Sequence, residues 1–214
     1  MILRPVLDHY PAVRPADSPF VPPLNPGREV GGISGVRLLT IPAHVDPRGA
    51  LAELWREGQD GPAEQVYVSI TRPDTVKGWH LHCSPGGATD RESPVRLQTD
   101  RFVLLRGRVR VALVDLRGYQ ERTTHPRTAI HPDQFTKITG VPSAEVELDA
   151  GLGFSRLDIP PGVAHGWIAL GGEDAHVLNV VSRAYDGTQE RRCDPRGPVA
   201  PGLPAWGWHA RRDG

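Results

Sequence analysis

Arg108-Val109-Arg110-Val111-Ala112-Leu113-Val114-Asp115 sets Val109, Val111 and Leu113 on one side of an extended chain and arginines on the other. An extended backbone alternates its side chains between two faces, so this period of two predicts a strand with one buried face. Working outward, Gln65-Val66-Tyr67-Val68-Ser69-Ile70 and Val177-Leu178-Asn179-Val180-Val181 are further short runs of strand formers. Gly35-Val36-Arg37-Leu38-Leu39-Thr40-Ile41 opens the series. Turn clusters fall between them, at Asp46-Pro47-Arg48-Gly49, Ser84-Pro85-Gly86-Gly87, Gly151-Leu152-Gly153 and Gly171-Gly172. No stretch carries a helical period of normal length. The prediction is an all-β sandwich or closed barrel.

The same reading divides the chain. Residues 1–34 form a Pro-rich arm, which cannot sustain a regular ladder. Residues 35–197 form the barrel, and 198–214 are a Pro/Gly-rich C-terminal tail. Two segments, 83–98 and 118–150, alternate little and are expected as polar loop insertions. The 214 residues suit one β-rich domain with a proper core, and the 24 Gly and 22 Pro fit many turns better than helices. Lys+Arg and Asp+Glu each total 25, so no basic face marks a nucleic-acid partner. No run of about eighteen apolar residues occurs, so no membrane partner is expected. The start, MILRPVLDHYPAVRP, lacks the apolar stretch of a signal peptide, and Cys83 and Cys193 make no disulfide framework. The expected location is the cytoplasm.

Two motifs carry chemistry. In Gly78-Trp79-His80-Leu81-His82, residues two apart share a strand face, so both histidines can enter one barrel. Pro160-Pro161-Gly162-Val163-Ala164-His165-Gly166-Trp167 is a turn running into a strand and supplies a third, His165. The three histidines are expected to line one pocket. Imidazole serves as a proton-transfer group or as a metal ligand, and the residues alone leave both open. Cys83 points away from His82 and is read as structural. Trp206, Trp208 and His209 are expected over the barrel mouth or at a subunit interface.

The pieces Asp46-Pro47-Arg48-Gly49 with Glu53, Gln65, Lys77-Gly78-Trp79-His80, Gly107 with Val114-Asp115-Leu116-Arg117, Ile159 through Trp167, and Tyr185 with Glu190 and Asp194-Pro195 recur in a familiar order. On these the chain resembles the cupin superfamily and, within it, the dTDP-4-dehydrorhamnose 3,5-epimerase family, from about Gly35 to Pro195. The resemblance implies a double-stranded β-helix, that is, a jelly-roll barrel. It also implies a homodimer with the N-terminal arm crossing between subunits, and a small-molecule substrate such as a nucleotide sugar. Such enzymes remove a proton beside a C4 ketone and return it to the opposite face. That chemistry needs a base, an oxyanion partner and an acid. Carried over, His80 matches the base, Tyr185 is a candidate acid, and Arg48 and Lys77 match diphosphate contacts, with Lys77 standing for an arginine. Glu53 and Gln65 match nucleoside contacts, and His165 matches the histidine lining the sugar pocket.

Departures point elsewhere. The family's enolate-stabilising lysine falls on Asp100, its catalytic tyrosine on Asn179 and its usual glutamine on His82. Its base-orienting aspartate lies in a segment replaced here by Pro201-Gly202-Leu203-Pro204-Ala205-Trp206-Gly207-Trp208. An anionic Asp100 would oppose a developing enolate by Coulomb repulsion. The chain also resembles metal-binding cupins, through His80-x-His82, Asp100 seven before Gly107, and Pro160-x-Gly162-x-x-His165. That likeness implies a metal set of His80, His82, Asp100 and His165, suited to Fe, Mn, Ni, Co or Zn. The leading reading is an epimerase- or isomerase-like enzyme acting beside a carbonyl. The alternatives are a metal-dependent cupin enzyme (oxygenase or metal-assisted isomerase) and a non-catalytic carbohydrate-binding cupin.

Overall fold

The computed structural model describes residues 27–84, 97–119 and 140–208. One sheet runs β1 (Arg28–Glu29), β2 (Arg37–Thr40), β10 (Ser155–Ile159), β7 (Asp100–Arg106), β12 (Ala175–Val181), β5 (Gln65–Thr71). The second runs β13 (Glu190–Arg192), β6 (Val76–His82), β11 (Val163–Leu170), β8 (Arg108–Asp115), β9 (Ser143–Asp149). A separate hairpin joins β3 (Ala43–Asp46) to β4 (Gly49–Ala52). Adjacent strands are antiparallel and mostly distant in sequence, as in a jelly roll. Among the described residues the one helical piece is a 3-10 turn at Ala150–Leu152, and no helix is long and apolar enough to cross a membrane.

Strand β8 follows the predicted alternation: Val109, Val111 and Leu113 are almost fully buried in a core that both sheets share. Its other face is not simply polar. Ala112 and Val114 join Trp79, Leu81, Cys83, Ala164 and Ile168 on the outside of the second sheet, a surface that water would penalise. The tail covers it. Trp208 packs 4.9 Å from Trp79, ring centre to ring centre, and Trp206 meets Trp79 edge-on at 5.8 Å. Each buried ring contributes roughly 1.5–3 kcal/mol by area. The indole N–H of Trp208 donates to Pro195 O and that of Trp206 to Glu145 Oε1. The two tryptophans therefore seal the back of a sheet rather than the barrel mouth, while His209 lies outside the described residues. Cys83 is buried in this layer, facing away from His82.

Two boundaries move. The barrel begins before Gly35: β1 pairs with β2, and Val30 and Ile33 are buried in the core, so the apolar residues of 28–34 belong to the body. Residues 1–26 lie outside the described part. The expected loop 118–150 contains β9, in which Ala144, Val146 and Leu148 face the core and pair along β8. Their alternation with Glu145 and Glu147 is a strand signal that the polar surroundings obscure.

Two glycines place the functional strands. Gly107 turns β7 into β8 at φ 78°, and a Cβ there would lie 2.8 Å from Asp174 O. At Gly166 a Cβ would sit 2.9 Å from Lys77 O and 3.0 Å from Gly78 Cα. This close approach accompanies a register shift between His165 and Trp167 and leaves His165 directly opposite His80.

Candidate functional site

A cavity of about 560 Å³ opens between the two sheets. The second sheet contributes His80, His82 and His165; the first contributes Gln65, Tyr67 and Asp100. Phe102 and Trp167 form apolar wall, meeting edge-on at 5.2 Å.

His80 has a clear proton arrangement. Its Nδ1 lies 2.7 Å from Glu190 Oε1. A carboxylate can only accept, so Nδ1 carries the hydrogen and the neutral ring keeps its lone pair on Nε2. Burial opposes ionisation of Glu190, but the His80 bond and Arg192, whose Nε donates to Oε2 at 2.8 Å, outweigh it and bring the carboxyl to about 2. Glu190 is thus a fixed anion behind the ring. This role was not read from the sequence, where the orienting acid has no counterpart in the tail. The pairing of β13 with β6 joins residues 110 apart, and no local pattern announces it.

The other two histidines converge on Asp100. Its Oδ2 lies 2.8 Å from His82 Nε2 and 3.3 Å from His165 Nε2. All three residues are nearly sealed from solvent, and the His82–Oδ2 contact becomes an ion pair when that ring is protonated. Oδ1, by contrast, is held by the side-chain amides of Gln98 and Asn179, each at 2.7 Å. His165 directs Nδ1–H at Val163 O, 3.1 Å away, so its Nε2 lone pair faces the cluster. Burial drives the His165 ring down to about 4, which keeps it neutral. For His82, burial lowers the pKa, but the adjacent Asp100 charge more than offsets this and leaves it raised. Burial likewise opposes the charge on Asp100, and the two histidines and Asn179 overcome it to hold the carboxyl below the usual range. The three ligand atoms lie within 4.8 Å of one another, a spacing that can hold an ion. Of the four residues that the metal-cupin likeness implies, His82, Asp100 and His165 form this group and His80 is outside it.

Asn179, at the position of the family's catalytic tyrosine, is fully engaged. Its Oδ1 accepts from Arg101 N at 2.9 Å, and its Nδ2 donates to Asp100 Oδ1 and to Tyr67 Oη, the latter at 2.8 Å. Tyr67 is its cross-strand partner on β5 and faces the cavity. Tyr67 is 42% exposed toward the cavity, yet partial burial, helped by the Asp100 charge, pushes its phenol up to about 12, so it stays protonated.

The expected contact residues divide. Lys77 lines the cavity, with Nζ donating to Ser69 Oγ at 2.8 Å and Ile70 O at 2.6 Å; these are neutral acceptors, so its charge remains available. Partial burial lowers its pKa. Gln65 and Tyr185 also line the cavity, and Gln65 Oε1 accepts from Tyr185 N. Tyr185 is 56% exposed at the rim, with Arg192 over its ring at 5.8 Å. Arg48 and Glu53 do not line the cavity of this chain. Arg48 sits on the β3–β4 turn, 90% exposed and folded back onto Asp46 at 2.6 Å, and Glu53 is paired with Arg56. The second rim cation is instead Arg192, which the sequence reading passed over.

No protein-family model matches the chain. It is 27% identical over 157 residues to the "Probable low-salt glycan biosynthesis epimerase" of Haloferax volcanii, covering 72% of this chain and 81% of that protein. Among solved structures, the dTDP-4-dehydrorhamnose 3,5-epimerase of Sulfolobus tokodaii superposes with a TM-score of 0.59 at 22% identity, over 81% of this chain and 83% of that one. This chain has the fold of that epimerase. A 3'-monoepimerase of Streptomyces bikiniensis, solved with dTDP-quinovose, shares that fold at a TM-score of 0.55 and 22% identity, over 78% and 74% of the two chains. At these identities the structures establish the fold, and fold alone does not fix the chemistry.

Proposed function

We propose that the protein is an epimerase- or isomerase-type enzyme that removes and returns a proton beside the carbonyl of a nucleotide-linked sugar. The observation that carries this reading is the His80–Glu190 pair. Glu190 holds Nδ1–H, which leaves a basic Nε2 on a ring facing a cavity large enough for a sugar. The curated relative is named an epimerase and a neighbour of the same fold was solved with dTDP-quinovose, which supports the reaction type and the substrate class. Lys77 and Arg192 supply the positive charge for a diphosphate, and Tyr185 with Gln65 forms the rim against which a nucleoside rests. We also read the protein as a cytoplasmic homodimer. The outward residues of edge strand β5, Val66, Val68 and Ile70, are each about half exposed and form an apolar strip that a second copy would cover.

The function is tested by inversion of a dTDP-linked 4-keto-6-deoxyhexose, followed by NMR. Substrate class is tested by calorimetry with dTDP. Lys77→Met and Arg192→Ala are each expected to weaken binding by about 1.5–3 kcal/mol, the scale of a hydrogen bond to a charged group. Unchanged binding in both variants, or none in the native protein, removes the nucleotide-sugar reading.

A second reading concerns the oxyanion partner, because Asp100 stands where the family has a lysine. The convergence of Asp100 Oδ2 with the Nε2 atoms of His82 and His165, all within 4.8 Å of one another, favours a divalent ion there. Two histidines and a carboxylate suit Fe(II) and its neighbours among the transition metals. Such an ion would supply Lewis-acid stabilisation of an enolate oxygen. The chain's own part is to orient the ligands: Val163 O fixes the His165 ring, and Gln98 and Asn179 fix Asp100. Protein prepared with Fe(II), Mn(II), Ni(II), Co(II) or Zn(II) is expected to retain about one equivalent of ion, and Asp100→Ala to lose it. Less than about a tenth of an equivalent with every metal rejects this reading.

A further inference from the structure

We propose that Tyr67 is the general acid that delivers a proton to the face of the substrate opposite His80, a role that rests on the epimerase reading above. The Asn179 amide holds the Tyr67 hydroxyl. Its oxygen is taken by the backbone N–H of Arg101, which fixes which way the amide points. Its two N–H bonds are then both spent, one on Asp100 Oδ1 and one on Tyr67 Oη. An amide nitrogen donates and cannot accept, so in this contact the phenol oxygen is the acceptor. The phenol keeps its own hydrogen, and no described residue takes it. Tyr67 lies on the cavity face of β5 with Gln65 and Ser69, so that hydrogen is available to a bound molecule.

The placement supplies the stereochemistry. His80 projects from β6 of the second sheet and Tyr67 from β5 of the first, so base and acid stand on opposite walls. A planar enolate between the walls presents one face to each. In the forward step a C–H bond breaks, its proton goes to His80 Nε2, and the electron pair passes into the enolate. In the return step the Tyr67 O–H bond breaks and a C–H bond forms on the other face. The imidazolium and phenolate left behind return to neutral by proton exchange with solvent through the open cavity. Among the described residues, no side chain orients the Tyr185 hydroxyl as Asn179 orients that of Tyr67. The tyrosine function has thus moved one strand sideways, from the position of Asn179 to its hydrogen-bonded neighbour.

The test follows a dTDP-linked 4-keto-6-deoxyhexose in D2O by NMR, reading deuterium entry beside the ketone separately from inversion. The native protein is expected to do both. Tyr67→Phe keeps the ring and the base, so His80 should still remove the proton, exchange it with solvent and return deuterium to the same face. Inversion should fall by about 10²-fold while exchange continues, and continued exchange also shows that the variant is folded. Inversion at the native rate, loss of exchange and inversion together, or this split appearing in Tyr185→Phe instead, overturns the assignment. A native protein that binds the compound but neither exchanges nor inverts it overturns the epimerase reading, and the proposal with it.

Discussion

Replacing His80 with alanine is expected to lower turnover by about 10²–10⁴-fold, the range contributed by a positioned general base. Binding of dTDP should change little, because Lys77 and Arg192 carry the charge that meets a diphosphate. Glu190→Gln tests the same claim more finely. A glutamine side chain can donate as well as accept, so the ring loses the anion that reserves Nδ1 for the hydrogen and frees Nε2. The expected result is a fall in kcat with KM nearly unmoved, the signature of an interaction made in the transition state rather than on binding. Steady-state kinetics of both variants check this. Full activity in His80→Ala would exclude the ring as the base.

The second large effect concerns the framework. The Arg156 side chain is 3% exposed on β10 and pairs through Nη1 with Asp60, itself 5% exposed, at 2.9 Å. Its Nε meets Asp158 at 2.8 Å, and Nη1 also reaches Leu54 O. A neighbouring guanidinium, that of Arg101, donates to Pro62 O. Together they fasten the segment between β4 and β5 onto the first sheet. Arg156→Ala would leave two carboxylates in a poorly solvated place without their partner, and such a loss costs about 3–5 kcal/mol. Urea unfolding should show a lower midpoint with an unchanged slope. A change below about 1 kcal/mol would mean the pair behaves as an exposed one.

The strands were legible because alternation is a local property: β5, β8 and β12 follow the predicted runs to within a residue or two. The face shared by His80 and His82 was legible for the same reason. What escaped depends on which strand lies beside which. The Glu190–His80 pair and the Asn179–Tyr67 pair are set by registers between distant strands, and neither residue carries a mark of its role in its own neighbourhood. Arg48 differs in another way, since likeness of motif fixes its turn but not the cavity that the turn serves, and in this chain the turn lies off the cavity. The seat of the tail tryptophans was not legible, because the apolar outer face they cover is visible only once three strands are assembled.

His80, held by Glu190, is the group that takes a proton from carbon beside a ketone in the proposed reaction. The most direct measurement is deuterium entry into a dTDP-linked 4-keto-6-deoxyhexose in D2O, comparing the native protein with His80→Ala. The native protein is expected to incorporate deuterium rapidly beside the ketone, and the variant at a rate lowered by about 10²-fold or more. Equal incorporation by both proteins, or none by a native protein that binds the compound, would contradict it.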